Sequence, residues 1–101
     1  MTTTVDSPDT AGALARSAVD ARLAACAQVL GPIASTYRWQ GAVEQSTEWL
    51  VVFKSTVERY AALEEHVRGA HPYELPEIVS TSVGGSTAYL GWVRAETGTA
   101  P

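Results

Sequence analysis

At 101 residues, 46% of them hydrophobic and 18% charged, the chain is long enough for one packed core and too apolar for a disordered or low-complexity segment. Its 11 acidic and 7 basic residues give a net charge of −4, which argues against a surface built to neutralise nucleic-acid phosphates and leaves a slight bias towards cations. The longest uninterrupted apolar run, Trp49 to Phe53, is far too short for a membrane-spanning helix, and a single Cys26 with no charged-then-apolar leader before Thr2 to Asp6 points to a reducing cytoplasm.

Asp6, Ser7 and Pro8 mark a helix start, since a serine oxygen can accept from free backbone N–H groups and proline suits the first turn. Ala11, Leu14, Ala15, Ala18, Val19 and Leu23 recur at helical spacing, so the first helix is predicted over about Pro8 to Ala24. From Ala27 the period becomes two: Ala27, Val29, Ile33, Ser35, Tyr37 and Trp39 share one face of an extended chain, with Gly31 and Pro32 marking a bulge or bend. Gln40, Gly41 and Ala42 supply a tight turn, and Val43 to Ser55 is the return strand of a long hairpin. Both faces of that strand are apolar over Trp49 to Phe53, so both must be covered.

A second helix is predicted to open at Ser55, where Ser55 and Glu58 have capping-box spacing. Val57, Tyr60, Leu63, Val67 and Ala70 form its apolar stripe, Glu64 and Arg68 pair one turn apart, and Gly69 and Pro72 stop it. Glu74 to Val83 is predicted as a strand around Ile78 and Val79, with Pro76 at an edge or bend. Gly84 and Gly85 turn the chain, and Tyr89, Leu90, Trp92 and Val93 indicate one short closing helix. A single domain over residues 1–95 with a flexible tail over 96–101 is expected. The order of elements matches an α+β, ferredoxin-like (split βαβ) plan with a long central hairpin. Two helices cover one sheet face, and the uncovered apolar face predicts an oligomer.

Four segments, Leu23-Ala24-Ala25-Cys26, Tyr37-Arg38-Trp39-Gln40-Gly41, Lys54-Ser55-Thr56 and His71-Pro72-Tyr73-Glu74-Leu75-Pro76-Glu77-Ile78, resemble the successive signatures of the CutA divalent-cation-tolerance family in order and spacing. The resemblance covers about Val5 to Arg94. It implies a homotrimer whose hairpins meet around a three-fold axis, a fold similar to the PII signalling proteins, and tolerance to divalent cations, notably copper, without implying any reaction. Family members usually begin with a full apolar strand, for which this chain offers only the threonine-rich Met1 to Val5, so a weak sheet edge is expected there. The cysteine that some relatives carry in that strand is absent, and a copper site built on it is not carried over.

Two site chemistries follow. His71, with Glu74 and Glu77 close in sequence, is a candidate ligand for copper, zinc or nickel, the alternatives being a cap on the second helix or a hydrogen bond across a subunit boundary. Cys26 offers a soft sulfur for Cu(I), against a packing role in the core. Tyr37, Trp39, His71 and Tyr73 form a candidate intersubunit ligand cleft for a small organic anion or metabolite, the alternative for the aromatics being interface packing. His66 lies off its helix's apolar stripe and reads as solvated, and no zinc-ligand spacing is present. Glu44 and Glu48 share a strand face without a positioned nucleophile, Ser86 reads as a helix cap, and there is no phosphate loop. These features point to a non-enzymatic protein with no obligatory cofactor, binding a divalent metal or a small molecule, or serving as a stable interaction scaffold.

Overall fold

The computed structural model describes residues 1–98. Its elements in chain order are β1 (Thr2–Val5), α1 (Pro8–Asp20), β2 (Cys26–Trp39), β3 (Ala42–Lys54), α2 (Val57–Ala70) and α3 (Thr87–Thr97). The three strands form an antiparallel sheet in the order β1-β3-β2. Thr2 also bridges Val79 through N–H···O bonds of 2.8 and 3.2 Å, so residue 79 stands where a fourth strand would flank β1. With that bridge the spatial order is that of a ferredoxin-like sheet.

β1 is short yet not a weak edge. It lies between β3 and Val79, and Thr3 and Val5 are fully buried, because four residues suffice when both backbone edges find partners. The predicted strand over Glu74 to Val83 reduces to the Val79 bridge. Pro76 has no N–H to donate, and residues 80–83 find no partner strand within the protomer.

The hairpin follows from its local sequence. Gln40 and Gly41 both take left-handed backbone angles, φ 51° and 82°, which fit the twist of a two-residue turn, and Trp39 pairs with Ala42 across it. The register slips between Leu30 and Ile33, so Gly31 and Pro32 form the expected bulge. There the backbone passes so close to the Trp49 indole that a Cβ on residue 31 would sit 2.8 Å from the ring's Cγ. Only glycine permits that approach.

On the helical side, Ser7 Oγ accepts from Thr10 N–H at 3.1 Å and Pro8 opens α1 as predicted. The helix ends earlier than the predicted Ala24. Arg22 takes φ 60°, and the Leu23 and Ala24 N–H groups both turn back to the Ala18 carbonyl. α2 is capped by Thr56, whose Oγ1 accepts from Arg59 N–H, rather than by Ser55, whose hydroxyl donates to the Leu23 carbonyl at 2.6 Å. Val57, the first residue of the helix, is 89% exposed and off the expected stripe, while Leu63 and Val67 are buried and Arg68 pairs with Glu64. Ser86 caps α3, which runs through Glu96 to Thr97, past the expected start of the tail; residues 99–101 lie outside the described residues. Thr97 is buried and its carbonyl accepts from Arg59 Nε at 2.6 Å.

The core is Val5, Ala11, Leu14, Ala18, Ala24, Val51, Phe53, Leu63 and Val67, with Trp49 against it. Strand side chains alternate, so Val51 and Phe53 face α1 and α2, while Glu48, Leu50 and Val52 point to the opposite face. Part of that second face is covered by the segment after α2, and the site is built there.

Candidate functional site

Directly paired strand residues place their side chains on one side of a sheet, so the pairs Ile33–Glu48, Ser35–Ser46, Tyr37–Glu44 and Trp39–Ala42 share the face opposite the helices. α2 ends at Ala70, Pro72 prevents its continuation, and residues 73–79 run back across that face to the bridge at Val79. Between hairpin and segment lies a cleft of about 800 Å³ whose lining includes Tyr37, Trp39, Glu48, Tyr73, Glu74 and Glu77. Three carboxylates line it, and none of its described lining residues is Lys, Arg or His.

His71 fixes the start of the segment. Its Nδ1 accepts from the Tyr73 backbone N–H at 3.1 Å, so the ring proton sits on Nε2, which donates to the Thr4 carbonyl at 2.9 Å. Both ring nitrogens are thus engaged within the protomer. The histidine ties the segment to β1 rather than capping the α2 carbonyls. The Tyr73 ring meets the imidazole edge-on with centroids 4.8 Å apart, and its hydroxyl donates to Glu48 Oε2 at 2.7 Å.

Burial, reinforced by the hydrogen bond to Glu48 and by the charge of that carboxylate, pushes the Tyr73 phenol far above its ordinary range. Because the folded-state pKa is raised, this contribution to stability is complete below the ordinary phenol pKa of about 10 and is lost as pH rises beyond it. A spectrophotometric phenol titration is expected to show a late-ionising tyrosine that disappears in Tyr73→Phe. An unchanged titration curve in that variant would place the late phenol elsewhere.

Of the predicted residues, the structure brings Tyr37, Trp39, Tyr73 and Glu74 to one cleft, with His71 adjacent as its anchor. Cys26 is not with them. It opens β2 at the far end of a strand whose 14 residues span roughly 40 Å, half-exposed, with its Sγ 3.3 Å from the Tyr89 hydroxyl. It is therefore neither a core residue nor a neighbour of His71. Among the described residues no group of three or more His, Cys, Asp or Glu is close enough to hold a metal ion, so His71, Glu74 and Cys26 do not form a coordination shell within one protomer. His66 is half-buried rather than solvated: its Nε2 lies 2.9 Å from Ser17 Oγ and links α2 to α1.

Glu48 is the residue that sequence reasoning undervalued. It is only 6% exposed, whereas its spacing to Glu44 suggests no more than half of a carboxylate pair on one strand face. Its signal was positional, a charged residue directly before the apolar run of β3 on the face that carries Tyr37 and Trp39.

Comparison with known proteins places these features in a family. Residues 1–96 match the family model described as CutA1 divalent ion tolerance protein. A divalent-cation tolerance protein CutA of Thermus thermophilus is 41% identical over 96 residues, covering 94% of this chain and 93% of that protein. The human protein CutA is 40% identical over 83% of this chain, which spans about half (48%) of the human protein's length. Solved structures agree: one of the Thermus thermophilus protein superposes with TM-score 0.93 at 40% identity, covering 96% of this chain and 95% of that one. CutA from Synechococcus elongatus gives 0.88 at 45% identity, covering 96% and 87%.

Proposed function

Because the chain belongs to the CutA1 divalent ion tolerance family, we propose that it works as a homotrimer that takes up a divalent transition-metal cation, such as copper or zinc, at the acidic cleft. The observation that carries this reading is the lining itself, in which Glu48, Glu74 and Glu77 stand without a basic side chain among them. Such a field attracts cations and gives an organic anion no positive partner. Carboxylates alone hold a transition metal weakly, and one protomer lacks a full ligand set; water and a neighbouring protomer complete the shell in the proposed assembly.

Support for the trimer comes from what one protomer leaves uncovered. Leu30, Tyr37, Trp39 and Val43 on the hairpin, Val83 after the bridge, and Tyr89 and Trp92 on α3 are all exposed, and residues 80–83 have no strand partner. Apolar patches and unpaired strand edges of that extent are what self-association covers. A non-enzymatic role and a cytoplasmic setting, the latter resting on the lone free cysteine, complete the proposal.

Calorimetric titration of Cu(II) tests the site. Glu74→Gln/Glu77→Gln is expected to bind roughly tenfold more weakly than wild type, whereas His71→Ala, whose ring nitrogens are already engaged, changes affinity by less than about threefold. Equal affinity in the double variant would place the ion elsewhere. A loss of tenfold or more in His71→Ala would restore the imidazole as a ligand.

A further inference from the structure

The segment that crosses the cleft is anchored at its two ends. His71 bonds the Thr4 carbonyl at its start, and at its finish Ile78 packs against the core and Val79 bridges Thr2. Between those anchors Pro72 and Pro76 offer no N–H, Leu75 is 73% exposed, and no hydrogen bond among the described residues joins residues 74–77 to the sheet. The tie that remains is the Tyr73 hydroxyl on Glu48 Oε2 at 2.7 Å, and that hydroxyl is also the one donor to Glu48 among the described residues. Glu48 itself is more than nine-tenths buried, so little of it meets solvent with Tyr73 folded over it.

We propose that Tyr73 is a latch: its hydroxyl holds residues 72–77 as a strap closed over Glu48, and the carboxylate takes an incoming cation only when that hydroxyl leaves. As a gate to a cation the inference rests on the acidic cleft being the cation site; as a latch on Glu48 it does not. A hydrogen bond to an ionised carboxylate is stronger than one between neutral groups, which makes the closed strap the resting position. Without the hydroxyl, a closed strap would leave Glu48 buried with no donor, and that cost drives the strap open to water. The two prolines restrict the backbone, so the strap swings about His71 and Ile78, whose contacts do not involve the phenol. Phenol and cation compete for one carboxylate, so anything that removes the latch strengthens cation binding, and a bound cation releases the latch. Glu74 and Glu77 travel with the strap, so a loaded cleft holds it by carboxylates in place of the phenol.

Two measurements on the full chain separate the latch from the ion. In the first, with EDTA present, carboxyl groups are labelled by a water-soluble carbodiimide with glycinamide and read by peptide mass spectrometry. Glu48 is expected to label about tenfold faster in Tyr73→Phe than in wild type. Glu44, exposed on the same strand, should label equally in both and so reports that the fold is intact. In the second, zinc chloride is titrated calorimetrically into the metal-free proteins, and Tyr73→Phe is expected to bind more tightly, by about threefold or more. A hydroxyl that merely supported the site would give weaker binding on removal. Equal labelling of Glu48 in the two proteins overturns the latch, and so does a zinc affinity that is unchanged or lower in Tyr73→Phe. Absence of zinc binding to both proteins counts against the metal proposal instead, and the labelling rates alone then decide the latch.

Discussion

Val51→Asp is expected to abolish the native protomer. Val51 is fully buried on the helix-facing side of β3, among Val5, Phe53, Leu63 and Val67. An aspartate there has no cation within the core to pair with and no water. The cost, on the order of 4 kcal/mol or more, is a large part of the roughly 5–15 kcal/mol that holds a domain of this size together. Circular dichroism should show loss of cooperative unfolding, and any assembly is lost with it. A variant that unfolds cooperatively at the wild-type urea midpoint would show that this face of β3 is not the core.

Leu30→Glu should do the reverse. Leu30 pairs with Leu50 on the face away from the helices and is 49% exposed in the protomer, so a charge there costs the isolated chain little, within about half a kcal/mol. In the proposed trimer the same charge would be buried once per chain, three times over, without a partner. The expected result is a folded protein whose light-scattering mass falls threefold from the wild-type value. A trimeric Leu30→Glu variant would move the interface off this face, and a monomeric wild type would remove the trimer from the proposal altogether. The two substitutions separate fold from assembly because strand alternation sends Val51 and Leu50 to opposite sides of one sheet.

That alternation was legible in the residues themselves. Five consecutive apolar residues from Trp49 to Phe53 require cover on both faces, and the helices supply it on one. The start at Ser7 and Pro8, the Gln40–Gly41 turn, the Gly31–Pro32 bulge and the Ser86 cap could also be read directly, because each is decided by backbone freedom or by a hydrogen bond within a few residues. The four ordered family segments likewise identify the family from the sequence alone.

Long-range partners decided the rest. Ser55 has the spacing of a helix cap, yet its hydroxyl goes to Leu23, 32 residues away, and Thr56 caps instead. The β-branched residues around Ile78 promise a strand, but within the protomer only Val79 meets a free backbone edge, that of Thr2. His71 carries ligand chemistry in its side chain, and it is the positions of Thr4 and Tyr73 that engage both nitrogens. Glu48 is an ordinary strand glutamate until Tyr73, 25 residues on, folds over it with its hydroxyl. Local sequence therefore determined the elements, the hairpin and the core face of β3. Which polar groups are engaged was decided by contacts that exist only once distant segments meet.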